Sequence, residues 1–530
     1  MAEFDLATLH EAIAVALVDD PCIIDGRAYT WGETTDRTRR FAAFLRDRGL
    51  GGRRPTAQPW ESGQDHLGIC LHNGASYLEV LLGTHKASVT PFNINHRYTA
   101  AELAYLLRDA APKALVYGGA FADVVGEAIA ELTDPPLLIR VHDSSDDELL
   151  SGAIDYEVAL AMSDPDDGIP DASPSDRHII YTGGTTGMPK GVLWRVGDLI
   201  AGPLGVRNAE TVADVVARAL RVRGRVMPTP PLMHGAGSGF ALGGWLGGAT
   251  VVFPDRPQRF DAADVWDACD RHDVTSMAIV GDAFGAPLVK ELKERQRALP
   301  ALKLIVSSGA ALSQGTKDQL HQLIPHVRVS DVLGSSETGL HAKRGGQVFE
   351  ARGDAAVVDE TRTRVLRPGS EEIGWFASGG RIPMGYLGDP DKTRNTFVDI
   401  DGRRYSVTGD RAKALVDGTF EFLGREATTI NTGGEKVYAD EVESAVRAVP
   451  GVLDVVVVGR PNPRWGQEVV ALYQSENTRL DARQLADDCR KTLAGYKIPK
   501  QFIRVEKVAR HANGKTDYAW ARAVAEQEHA

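Results

Sequence analysis

The sequence predicts an α/β protein, with a large N-terminal domain of parallel-rich sheets and helices closed by a small β-rich unit, followed by a small α+β C-terminal domain. Three observations carry that reading. From about Tyr77 onward, helical patterns alternate with short apolar runs, at Ala114 to Tyr117, Leu137 to Val141, His178 to Thr182, Ala249 to Phe253, Thr275 to Val280 and Leu302 to Ser307, which is the rhythm of βαβ units. At 530 residues the chain exceeds what one ordinary core holds. A compositional break near 424–428, where Gly424-Arg425 gives way to a polar run ending at Gly434, puts the domains at 1–425 and 426–530.

At the start of the chain, Leu6, Leu9, Ile13 and Leu17 share one helical face and acidic residues come early, so the segment reads as a structural helix and not as a secretory signal. The acidic, proline-containing stretch 143–176 interrupts the alternation, and its later part, Ser163 to Asp176, reads as a linker feeding the His178 strand. Residues 345–422 are glycine-rich, with β-type fragments such as Ile373 to Ala377 and turn signals at Asp401-Gly402 and Asp417-Gly418. Beyond the break come a helix pattern (Val442, Ala445, Val446, Val449), a Pro450-Gly451 stop and a strand at Val455 to Val458.

Composition narrows the function classes. The hydrophobic share of 43% and charged share of 25% are those of a globular protein, and no apolar run reaches the roughly 18 residues of a membrane span. A net charge of -12 opposes nucleic-acid binding, and the cluster Arg221, Arg223 and Arg225 reads as solvated surface. Cys22, Cys70, Cys269 and Cys489 lack CxxC spacing, so neither zinc nor a disulfide framework is indicated, and a reducing cytoplasm is the expected compartment. A homodimer is compatible with the sequence.

The strongest local signal is Tyr181-Thr-Gly-Gly-Thr-Thr-Gly-Met-Pro-Lys190-Gly191, directly after the His178 strand. Its glycines (Gly183, Gly184, Gly187) let backbone N–H groups approach phosphate oxygens, Thr182, Thr185 and Thr186 add hydroxyl donors, and Lys190 adds positive charge. ATP phosphates are the natural ligand. The spacing does not register as GxxxxGK followed by Ser or Thr, which argues against a P-loop kinase. Glu337, in a Gly/Ser-rich segment after the apolar stretch Val327 to Val332, is placed to hold Mg²⁺ against ATP oxygens.

With Pro231-Leu-Met-His234, Ser308-Gly-Ala-Ala-Leu312, Gly334-Ser-Ser-Glu-Thr-Gly339, Gly385-Tyr-Leu-Gly-Asp389-Pro390, Thr408-Gly-Asp410, Gly424-Arg425, Gly433-Gly-Glu-Lys436, Tyr496-Lys-Ile-Pro499 and Asn513-Gly-Lys515 in order, almost the whole chain resembles the adenylate-forming superfamily of acyl-CoA synthetases, aryl-CoA ligases, luciferases and adenylation domains. The resemblance implies an enzyme that forms an acyl-adenylate from a carboxylic acid and MgATP and passes the acyl group to coenzyme A. It implies catalytic roles for Lys515, Glu337, Thr186 and His234. Nucleotide contacts would come from the phosphate loop and from Gly309, Ala310, Ala311, Gly334, Ser335, Ser336, Asp410 (ribose) and Arg425. Gly433, Gly434 and Lys436 would line the coenzyme A channel after the mobile C-terminal domain rotates.

The acyl pocket is expected from His234, Gly235, Gly281, Asp282, Gly309 and Gly334, with small residues leaving room for a bulky group. His234 reads either as a group that orients the carboxylate or as a buried structural histidine. Two positions depart from the family pattern: Ala427 stands where a hinge Asp or Lys is usual, and Leu333 where an aromatic often packs on adenine. The motif set resembles actinobacterial CoA ligases of steroid and other polycyclic acids, which implies a steroid or terpenoid carboxylate. Alternatives are an acyl-AMP synthetase with a weak thioester step, a fatty or aryl acid ligase, and a silent nucleotide-binding scaffold.

Overall fold

The computed structural model describes residues 2–528 except 144, 146–148, 167–171, 185–186, 311, 346–347, 351–353, 426–427, 433–434, 463–465, 478–479, 494 and 512–515. Six strands lie side by side and parallel in the order Pro21–Asp25, Ala249–Val252, Gly224–Pro228, Ser276–Ile279, Leu304–Ser307 and Arg328–Ser335. A second sheet sets Arg177–Gly184, Thr90–Asn93, His66–Cys70, Ala114–Gly118 and Leu137–Val141 parallel to one another. Such strands are buried on both faces, which is why the apolar runs at 114–117, 137–141, 178–182, 249–253, 275–280 and 302–307 are legible; each coincides with a strand.

Between the sheets lies a layer of helices: Leu6–Ala16, Trp31–Asp47, Ala75–Lys86 and Gly235–Trp245. Asp5 opens the first of them by accepting a hydrogen bond from the Thr8 amide at 2.7 Å. Leu6, Leu9, Ile13 and Leu17 turn inward as their spacing requires and join Trp31, Phe41, Leu78, Trp194 and Trp245 in one core. Into this core the protein also buries an ammonium. Lys86 is fully buried against Glu11, which is shared with Arg39 at 2.6 Å, and burial pulls the lysine down to about 8 against the opposing field of Glu11.

The glycine-rich stretch 345–422 does not close a sheet of its own. Its strands Val348–Phe349, Phe420–Arg425, Asp410–Ala414 and Ile373–Gly379 continue the first sheet antiparallel, through Gly339–Gly345. The hairpin signals hold: Asp401 and Gly402 both take positive φ, 51° and 73°, between Phe397–Ile400 and Arg403–Ser406.

The C-terminal unit has its own five-stranded sheet and its own cores around Val442, Val446, Val455 and Leu485 and around Val456, Leu472 and Ala521. Phe420–Arg425 pairs in the large sheet and Thr429–Thr432 in the small one, the observation behind the domain boundary that we propose between 425 and 426. The expected helix and strand beyond it are Ala439–Arg447 and Val452–Asn462.

Glu11→Gln leaves the Lys86 ammonium buried without its carboxylate and is expected to destabilise the N-terminal domain by about 3 kcal/mol. Adding Lys86→Met should restore most of that loss, since no buried charge is then left unpaired. Calorimetric unfolding of the single and double variants checks both; an unshifted midpoint for Glu11→Gln contradicts this account of the core.

Candidate active site

The phosphate segment takes a different form from the strand-then-loop that its sequence suggests. Thr182, Gly183 and Gly184 end the strand Arg177–Gly184, and Gly187, Lys190 and Gly191 belong to Gly187–Arg195, paired antiparallel with it as Tyr181↔Gly191, Thr182↔Lys190 and Gly184↔Gly187. The β-branched and aromatic residues on both arms favour extended pairing and fold the glycines into a hairpin. Thr185 and Thr186, at its tip, lie outside the described residues.

The hairpin is fixed at its base. Tyr181 donates its phenol hydrogen to Asp109 at 2.6 Å, its amide donates to Asn93 Oδ1 at 2.8 Å, and Asn93 Nδ2 donates to the carbonyls of Tyr181 (2.9 Å) and Met233 (2.6 Å). One side-chain amide thus joins the hairpin to the segment that carries His234. Farther along, the buried Trp194 indole donates to the Ser336 carbonyl at 2.9 Å, which joins the outgoing arm to the Glu337 turn. Lys190 forms a 3.1 Å ion pair with Asp389, and this carboxylate raises its pKa.

Three further groups follow adjacent parallel strands at their carboxyl ends, the usual ligand crevice of such sheets. After Ser276–Ile279, Gly281 begins a helix with φ 51° and its amide donates to Ser307 Oγ at 3.1 Å. Asp282 accepts from both the amide and the hydroxyl of Ser313 at 3.1 Å, tying this helix to the next loop. In that loop, after Leu304–Ser307, Gly309 has φ 81° and Ala310 packs against the core; Ala311 lies outside the described residues. Gly334 and Ser335 end Arg328–Ser335, and Ser336 and Glu337 make the turn into Gly339–Gly345.

Glu337 receives the Tyr386 phenol hydrogen on Oε1 at 2.9 Å, and its amide donates to Ser335 Oγ at 3.1 Å. A carboxylate held this way beside a phosphate hairpin fits Mg²⁺, which takes one or two protein carboxylates and fills the rest of its shell with phosphate oxygens and water. Asp410 is buried, accepts from the Thr408 hydroxyl at 2.7 Å, and is the strand partner of Arg425. Two residues read separately from sequence are neighbours by β-pairing; the Arg425 side chain lies outside the described set.

His234 precedes the helix Gly235–Trp245. Next to it, burial pushes the His96 imidazole down to about 3, with the His72, Arg97 and His234 charges acting the same way. The glycines of this helix do not all leave room. Nothing lies within 4 Å of a side chain built at Gly239 and only Ile180 at 4.0 Å from one at Gly235, whereas Gly237 abuts the Pro230 and Pro231 backbone. Phe284, on the helix that Gly281 and Asp282 begin, is buried against Phe260 at 4.3 Å. Leu333 packs against the cluster of Phe349, Phe376 and Phe420.

In the C-terminal domain, Lys515, Gly433, Gly434 and Ala427 lie outside the described residues, as does the Lys436 side chain. The stem of the lysine loop is described: Arg510 bridges Thr516 and grips Asp454 through two nitrogens at 2.8 and 2.9 Å.

Sequence reasoning missed Asn93, Tyr386 and Lys392 as parts of this site. Only Asn93 left a trace, as a polar residue closing an otherwise apolar strand, Thr90–Asn93.

Comparison with known proteins agrees with this geometry. Residues 9–366 match the family described as AMP-binding enzyme, and residues 441–515 its C-terminal domain. The medium-chain acyl-CoA ligase Mig of Mycobacterium avium is 42% identical over 98% of each chain. The 3-oxocholest-4-en-26-oate–CoA ligase of Rhodococcus rhodochrous is 35% identical over 94% of this chain and 91% of its own. In fold, ATP-bound MatB of Rhodopseudomonas palustris superposes with a TM-score of 0.80 at 23% identity, over 99% of this chain and 100% of MatB.

Asp410→Asn removes the charge from the proposed ribose seat while keeping its shape, and is expected to weaken ATP binding about tenfold with an unchanged unfolding midpoint. Titration calorimetry checks this, and wild-type affinity would contradict it.

Proposed function

The chain belongs to the AMP-binding enzyme family as an AMP-forming acid–thiol ligase, and from that premise we propose that it converts an apolar carboxylic acid, MgATP and coenzyme A into an acyl-CoA by way of an acyl-adenylate. The supporting observation is the hydrogen bond from Trp194 to the Ser336 carbonyl, which ties the phosphate hairpin to the Glu337 turn, with Asp410 and Arg425 paired in the sheet that carries this turn. ATP and the acid are both anions, so their approach costs electrostatic energy that donors and cations must offset. Lys190 and the hairpin amides hold phosphate oxygens, and Asp410 holds the ribose. Glu337 would hold Mg²⁺, which supplies positive charge beside those oxygens.

Lys515, reaching over from the C-terminal domain, bridges carboxylate and α-phosphate while the carboxylate oxygen attacks phosphorus and pyrophosphate leaves. The thiol of coenzyme A then attacks the acyl carbon and AMP leaves, after the C-terminal domain has turned to bring in Gly433, Gly434 and Lys436. Ala427 tunes that turn without touching a reacting group. Four free, buried thiols support a home in the reducing cytoplasm.

For the acid, a medium-length aliphatic chain is the favoured reading. It is supported by the 42% identical medium-chain relative. The steroid carboxylate is the second reading, favoured by relatives of 33–35% identity named for 3-oxocholest-4-en-26-oate.

Mass spectrometry of products from a panel of linear, aryl and steroid acids with ATP, Mg²⁺ and coenzyme A decides between these readings; octanoyl- or decanoyl-CoA as the main product is expected, and turnover confined to steroid acids would reverse the preference. Lys515→Ala should slow acyl-CoA formation from free acid roughly 100-fold or more, yet still convert supplied acyl-adenylate. Undiminished activity from free acid would remove the lysine from the first step.

A further inference from the structure

Tyr386 belongs to the Gly385-Tyr-Leu-Gly-Asp389-Pro390 motif, which assigns it no role, and it sits where two parts of the site meet. It lies in the short strand Gly385–Tyr386, paired antiparallel with the outgoing arm of the phosphate hairpin as Tyr386↔Val192. Its ring is buried at 4% exposure and packs against Phe397 at 5.8 Å. Its hydroxyl donates to Glu337 Oε1 at 2.9 Å. The phenol is the donor in this pair because an ionised carboxylate can only accept.

The surroundings are electrostatically matched. The Lys392 ammonium stands 4.3 Å from the Tyr386 ring centroid, a cation over an aromatic face, and it lies within the fields of Glu337, Lys190 and Asp389. Asp389 caps the helix Pro390–Thr396 by accepting from the Lys392 amide at 2.9 Å, and pairs with Lys190 through its other oxygen. Glu337, Tyr386, Lys392, Asp389 and Lys190 thus form one connected group beside the hairpin.

We infer that Tyr386 is a positioning residue for the metal carboxylate: by taking Oε1 of Glu337 as a hydrogen-bond acceptor, it leaves Oε2 turned toward the nucleotide and keeps the carboxylate registered with the phosphate hairpin on which Tyr386 itself rides. The inference rests on the proposed metal role of Glu337. Partners that orient a metal-ligating carboxylate typically change metal affinity 10- to 100-fold when removed, an effect separate from the fold because the ring alone fills the core.

The test measures binding without turnover. ATP is titrated calorimetrically into acid-free enzyme, once with Mg²⁺ and once with EDTA, for the wild type, Tyr386→Phe and Glu337→Gln. The gain in ATP affinity on adding Mg²⁺ should fall roughly tenfold in Tyr386→Phe and vanish in Glu337→Gln, with the affinity in EDTA and the unfolding midpoint unchanged. A wild-type gain in Tyr386→Phe, alongside a lost gain in Glu337→Gln, overturns the inference and spares the metal site. A wild-type gain in Glu337→Gln overturns both. Equal losses with Mg²⁺ and with EDTA in Tyr386→Phe make the hydroxyl merely structural and likewise overturn it.

Discussion

The half-buried side chain of Asn93 is the joint on which the site depends. Through its amide it accepts from the Tyr181 N–H and donates to the carbonyls of Tyr181 and Met233. The hairpin grows from the second sheet, the His234 segment leads into a helix of the middle layer, and the Glu337 turn ends a strand of the first sheet. With Trp194 bonded to Ser336, all three are held in one register. Such contacts are worth little singly. Their effect lies in geometry, because donors misplaced by an ångström no longer meet the charge they serve.

Charge placement follows the same economy. The protein carries a net charge of -12, yet Lys190, Lys392 and the hairpin amides gather on one side of the crevice, with Asp389 and Glu337 interleaved. In the proposed mechanism an anionic nucleotide meets these lysines, and the Asp389 ion pair keeps Lys190 in place before it arrives. In the C-terminal unit, Arg510 grips Asp454 through two nitrogens, and the last cation of the proposed mechanism, Lys515, would come from this separately folded domain.

What was legible in the sequence follows from how local its causes are. The buried parallel strands were readable because burial on both faces leaves an unbroken apolar run, as at Leu304–Ser307, and the first helix because Leu6, Leu9, Ile13 and Leu17 keep one face. The hairpin form of the phosphate segment was not readable, since pairing Thr182 with Lys190 is a tertiary fact that glycine spacing alone does not specify. Asp410 and Arg425 were found by motif but not as neighbours, because strand register makes them so. Tyr386 was legible as part of the Gly385–Pro390 motif but not in its role: 49 residues separate it from Glu337, and nothing in a Gly-Tyr dipeptide announces a carboxylate. Gly237, two residues beyond the expected pocket residue Gly235, offers no such space, because a side chain there would meet the Pro230 and Pro231 backbone.

The central claim is that two anions are brought to reaction between this hairpin, Glu337 and the C-terminal lysine. It is tested most directly by exchange of labelled pyrophosphate into ATP with purified enzyme and no coenzyme A. The account predicts exchange that requires both a medium-chain carboxylic acid and Mg²⁺. Exchange that proceeds equally without acid, or fails with every acid that yields a thioester product, would contradict it.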